Sequence, residues 1–215
     1  MLILKVLVGS QAHGLADEDS DHDFRGVYVN RTSDILRLGP APKDASWIEK
    51  AEGADDTAWE LRKFLDLSLQ CNPTLLECYF APVVDANAWG LELRSLFPCV
   101  WSAERVRAAF VGYAINQRKK MLDDKDGKAR KYAAACIRAV IQAENLLRSG
   151  VLPVSMLSHP LCPLLRKIRR STFSPGEVVD IFESMRDQID AISCEHIPDV
   201  EPINDFLLRV RKGYW

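Results

Sequence analysis

Asp21 and Asp23 stand two residues apart just ahead of an apolar run at 24–29, and Gly9-Ser10 ends an earlier apolar run at 2–9. Side chains at i and i+2 leave the same face of a strand. Two ionised carboxylates held about 6 Å apart repel by roughly 3 kcal/mol at an effective dielectric near 20. A divalent cation between them reverses that sign. Magnesium takes oxygen ligands, keeps several waters and completes its octahedron with substrate phosphates. Gly9 lets backbone approach a ligand closely, and the Ser10 hydroxyl with the N–H groups that follow can hold phosphate. Strand, phosphate turn, paired carboxylates and strand therefore describe a site for a nucleoside triphosphate with Mg²⁺ or Mn²⁺.

Other readings of the stretch are weaker. Gly9 and Gly14 have the glycine spacing of a P-loop, but Leu15-Ala16 stands where lysine and hydroxyl would hold phosphate and metal. Asp17, Glu18 and Asp19 read as a solvated loop. His22 should leave the opposite strand face from its neighbours, and His13, beside the phosphate turn, reads as a helix-surface residue. Arg25 shares a face with Asp23 and can pair with it or meet phosphate.

The elements that must position these groups fall into two halves. Before residue 98, β-like runs at 2–9, 24–29 and 45–49 precede a helical pattern over 57–70, which Asn72-Pro73 breaks and restarts. After it the pattern is helical over 102–122, 127–148, 174–192 and 202–211, with a loop over 150–163. Ser102 and Ser174 are placed as N-caps, the latter followed by Pro175 at the first helical position. The expectation is an α/β (α+β) domain with a mixed sheet over 1–98 and an all-α domain over 99–215. The 215-residue chain is 47% hydrophobic and 27% charged with a net charge of −2, so no global charge names a partner. Six cysteines without a CxxC pair, no leader ahead of the first strand and no run near the roughly 20 apolar residues of a membrane span predict a reduced, cytoplasmic protein.

The segment "VGSQAHGL…DSDHDFRGVYV" resembles the signature of DNA polymerase β-like nucleotidyltransferases. Together with "DDTAWELRKFLDLSLQCNPTLLECYFAP" and "KYAAACIRAVIQAENLLRSGVL" it is most similar to the branch associated with RNA repair. That resemblance implies a nucleotidyltransferase core and transfer of a nucleotidyl group from Mg-NTP to an acceptor hydroxyl of RNA or protein. It places Ser10, after Gly9, at the β- and γ-phosphates and Asp21 and Asp23 on the metals. It also implies a third carboxylate at the Asp55-Asp56 pair, with Asp55 preferred; a helix cap is the alternative role for either. The resemblance departs at 135–136, where a histidine frequent in the family is Ala135 or Cys136.

Further candidates are basic. Lys63, on the helix with Glu60 and Arg62, is the phosphate candidate of that segment, and Glu77 serves equally as a structural or a catalytic acid. Lys131 and Arg138, seven apart, share a helix face beside the apolar stripe Tyr132, Cys136, Ala139, Ala143 and Leu146. With Arg118, Lys119 and Lys120 they are candidates to line the nucleotide cleft and steer polyphosphate or RNA, ordinary helix solvation being the alternative for each residue taken singly. The alternative function is an inactive nucleotide- or RNA-binding module of the same fold, or an antitoxin-like partner. Sequence leaves oligomeric state open.

Overall fold

A computed structural model describes residues 1–18, 20–47, 56–125, 127–170 and 172–215. In chain order it contains β1 (Leu2–Val8), α1 (Gly9–His13), β2 (Asp23–Tyr28), α2 (Thr32–Leu36), β3 (Ala45–Trp47), β4 (Thr57–Glu60), α3 (Leu61–Leu69) and α4 (Pro73–Glu77). β5 (Val83–Ala86), α5 (Ala88–Ser95), α6 (Phe97–Val100), α7 (Ala103–Asp123), α8 (Ala129–Ser149), α9 (Cys162–Arg169), α10 (Pro175–Asp190) and α11 (Val200–Gly213) follow. The five strands form one mixed sheet in the order β3-β4-β2-β1-β5, with β2 and β4 parallel and the other pairs antiparallel. An α/β core with a mixed sheet and a helical C-terminal part is the observed fold class.

β1 is inner and apolar: Ile3, Leu4, Val6 and Val8 are buried. Its pairing with β2 runs to Val8↔Asp23, which sets the first residue of β2 beside the exit of β1. Four short residues, Thr57–Glu60, join the sheet as β4 where the sequence predicts the start of a helix. Their burial alternates with the strand period, and Glu60 then caps α3 by accepting the Arg62 N–H at 2.9 Å. β5 and α5 were not expected. β5 is an edge strand whose valines are exposed, so it carries no core pattern to read.

The helical part rests on α8, whose buried face, including Cys136, Ile137, Val140, Ile141 and Leu146, packs against α7, α9 and α10. Both serine caps are present, and Ser174 with Glu177 forms a full capping box. The segment 150–163 is irregular until α9 starts at Cys162, so the last two residues of the expected loop are helical. α11 returns to the sheet side: Thr32 bonds the carbonyls of Tyr214 (2.7 Å, from N–H) and Arg211 (2.6 Å, from the hydroxyl). One continuous buried core runs through the sheet and the helices. Among the described residues no helix is long and apolar enough to cross a membrane.

Candidate active site

α1 with the residues just after it, the start of β2, α8 and the end of α9 enclose a cleft of about 200 Å³. Gly9, Ser10, His13, Leu15 and Asp23 form its sheet wall; Lys131, Ala134, Ala135, Arg138 and Arg169 form its helical wall. Five sequence-predicted residues, Gly9, Ser10, Asp23, Lys131 and Arg138, thus meet around one space. Gly9 has φ +70°, a left-handed value that a side chain resists, and a Cβ there would collide with the Asp23 carboxylate. Only glycine lets the turn and the carboxylate lie this close.

Asp21 is exposed in the segment just ahead of β2. Asp56 is 2% exposed and sits at the mouth of β4, where the parallel register Arg25↔Thr57 brings it alongside Phe24. Its Oδ1 accepts the Phe24 N–H at 3.0 Å, one residue from Asp23. Asp55, the preferred third acid from sequence, lies outside the described residues. Among the described residues no three His, Cys, Asp or Glu side chains converge as a metal cluster. Magnesium does not demand one, because one or two carboxylates plus substrate phosphates and water complete its shell.

The floor of the cleft is a buried polar network that sequence did not assemble. His13 is buried, not on a helix surface as expected. Its Nε2 lies 3.2 Å from Glu77 Oε1. Arg138 donates to the same carboxylate oxygen and, at 2.9 Å, to Gln142 Oε1. Gln142 Nε2 donates to Glu77 Oε1 at 3.0 Å and to the Pro153 carbonyl at 2.9 Å. Burial pushes the Glu77 carboxyl up, but Arg138, then His13 and Gln142, outweigh it and leave the group well below its usual value. Glu77 is therefore ionised. Burial first, and Arg138 second, lower His13 against the opposing pull of Glu77, so the ring is neutral at pH 7. A neutral ring facing a carboxylate must carry its proton on Nε2, which leaves Nδ1 as an acceptor.

The remaining basic candidates lie elsewhere. Lys63 is exposed on the outer face of α3, 3.6 Å from Asp44. Arg118 pairs with Glu183 of α10, and Lys120 stands over the Tyr132 ring at 5.5 Å. Neither they nor Lys119 line the cleft. Arg169 was missed because it belongs to α9, whose amphipathic spacing of Cys162, Leu165 and Ile168 was the available signal. Ala134 and Ala135 keep the helical wall low where a larger side chain would fill the space.

A mixed sheet with a glycine-serine turn facing a strand-borne carboxylate marks the polymerase β-like nucleotidyltransferase class. The chain belongs to the RNA repair pathway DNA polymerase beta family, which matches residues 1–170. It is also 27% identical over 156 residues to the uncharacterized protein YcgL of Bacillus subtilis (strain 168). That match covers 71% of this chain and 58% of the relative, so the chain spans little more than half of the relative's length.

Proposed function

We propose that the protein transfers a nucleotidyl group from a metal–NTP complex to a hydroxyl of an RNA acceptor, releasing pyrophosphate. The observation that carries this reading is the meeting of Gly9, Ser10 and Asp23 with Lys131, Arg138 and Arg169 around one cleft. The family's description as part of an RNA repair pathway supports an RNA acceptor. Asp21 and Asp23, with Asp55 or Asp56 as the third acid, would hold Mg²⁺ or Mn²⁺. When bound, the ion would neutralise triphosphate charge and make the acceptor hydroxyl more acidic.

The chain's own groups do the positioning. The Ser10 hydroxyl and the backbone of the Gly9 turn hold the β- and γ-phosphates. Lys131 and Arg169 face them from the helical wall, so negative charge developing on the departing pyrophosphate meets fixed positive charge. Arg138 is held by Glu77 and contributes chiefly by keeping the floor rigid. The acceptor oxygen attacks the α-phosphorus, the bond to the bridging oxygen breaks, and the third carboxylate takes the hydroxyl proton. The helical part, taken as residues 99–215, forms the wall that closes over the nucleotide. All six cysteines are free thiols, which suits the reducing cytoplasm.

The test is incubation of wild type and Asp23→Asn with α-labelled NTPs and Mg²⁺, with RNA, with cell proteins, or alone. The expected result is label on RNA, reduced by at least about a hundredfold in the variant, as for loss of a transition-state contact. Label on protein moves the acceptor. Equal transfer by Asp23→Asn, or no transfer to anything, removes the proposed reaction.

A further inference from the structure

Beside the cleft lies a second cavity of about 280 Å³, and Lys131 and Arg169 line both. Lys128, Arg130 and Arg170 complete it, so five cations face a single described carboxylate, Asp17. The whole chain has a net charge of −2, and this concentration is therefore local. No ion pair joins Arg130, Lys131 or Arg170 to an acid among the described residues. Clustered cations of this kind repel one another, and a polyanion relieves that repulsion.

Asp17 already plays the anion's part. Its Oδ2 lies 2.5 Å from Nη2 of Arg169, with the aspartate side chain 75% exposed and the arginine 11%. The Arg169 Nε is buried and has no hydrogen-bond partner among the described residues. The guanidinium is thus engaged through one edge by a solvent-facing carboxylate, whereas phosphate can take an arginine fork by two bonds.

We infer that this groove is the subsite for the phosphodiester backbone of a single-stranded RNA acceptor, and that Asp17 is a built-in competitor which the strand displaces from Arg169. This rests on the nucleotidyl-transfer reading for the direction of the strand, which would leave the groove at Lys131 with its terminal hydroxyl in the cleft. It does not rest on Lys119 or Lys120, which lie outside both cavities.

The inference predicts opposite signs for two sets of surface substitutions. A fluorescent oligouridylate and a fluorescent non-hydrolysable NTP with Mg²⁺ are titrated separately into wild type, Asp17→Asn and Lys128→Ala/Arg130→Ala/Arg170→Ala. Asp17→Asn should bind the strand roughly two- to fivefold more tightly, the range of an exposed ion pair. The triple variant should bind it at least about tenfold more weakly, with a log–log salt slope shallower by roughly 2, at about 0.7 per lost contact. Nucleotide affinity should not change in the triple variant, whose three residues lie outside the nucleotide cleft. Unchanged or weaker strand binding by Asp17→Asn overturns the competitor role. A wild-type slope in the triple variant overturns the subsite, and loss of nucleotide rather than strand binding assigns the groove to the triphosphate tail and overturns it too. Strand binding without any nucleotide binding by wild type would leave this groove standing while removing the proposed reaction.

Discussion

Two ion pairs flank the same cleft and do different work. Glu77 and Arg138 are each 9% exposed, and the carboxylate is also bonded by His13 and Gln142. Asp17 and Arg169 pair across the mouth, with the carboxylate almost wholly in water. In the floor, removing one partner strands a charge in low dielectric. At the mouth, water and salt replace whatever is removed. The pair that must never let go lies beneath the cleft, and the one that can be exchanged lies at its mouth.

The sharpest way to break this comparison is truncation. Arg138→Ala should cost about 3–5 kcal/mol, because it leaves Glu77 buried and uncompensated. Asp17→Ala should cost under about 1 kcal/mol. Urea denaturation of both gives the numbers, and similar losses would erase the distinction. Glu77→Leu with Arg138→Met should cost less than Arg138→Ala alone, since no bare charge remains.

Gly9→Ala probes the turn above the floor. Forcing a Cβ into the left-handed region costs about 1–2 kcal/mol, and the same Cβ displaces the Asp23 carboxylate. Nucleotidyl transfer should therefore fall much further than thermal stability does. A variant with wild-type turnover would show that Asp23 need not sit where it does.

Acid should act on the floor next. His13 is lowered in the fold, so below its ordinary value of 6.5 the unfolded chain binds a proton that the folded chain refuses. Glu77 is lowered too, and its contribution is complete above 4.5 and lost as pH falls toward its folded value. Both effects remove stability on acidification. Thermal melts across this range should show a decline that begins near 6.5, and His13→Asn should flatten its upper part while sparing the lower. The smallest effect is ionic. Raising salt should abolish any coupling between Asp17 and Arg169 in a double-mutant cycle while leaving the coupling of Glu77 to Arg138 nearly intact.

Much of the sheet wall was legible because it is local. Gly9, Ser10 and Asp23 lie within fifteen residues of sequence, whereas Asp21 stands ahead of β2, outside the strand period that was to set its face beside Asp23. Lys131 and Arg138 were legible from helix spacing alone. The floor was not, because His13 to Glu77 spans 64 positions and Arg138 to Glu77 spans 61, and no local period encodes such a meeting. β4 was read as helix because four residues are too few for alternation to outvote the strong helical pattern of α3 behind it. The boundary matters for the third acid, since a strand starting at Thr57 sets Asp56 at its mouth beside Phe24.

The return of α11 to the sheet carries a consequence for the order of events as the chain is made. Arg211 bonds Glu60 across 151 positions, and Thr32 reaches Arg211 across 179. Contacts of such long range form late, because the intervening chain must first be ordered enough to bring its ends together. The α7–α8 hairpin can close as soon as it is synthesised, but the strand ends near Thr32 and Glu60 must wait for nearly the last residue to emerge. A nascent chain paused before residue 200 should therefore protect the hairpin from proteolysis and leave those strand ends open to it.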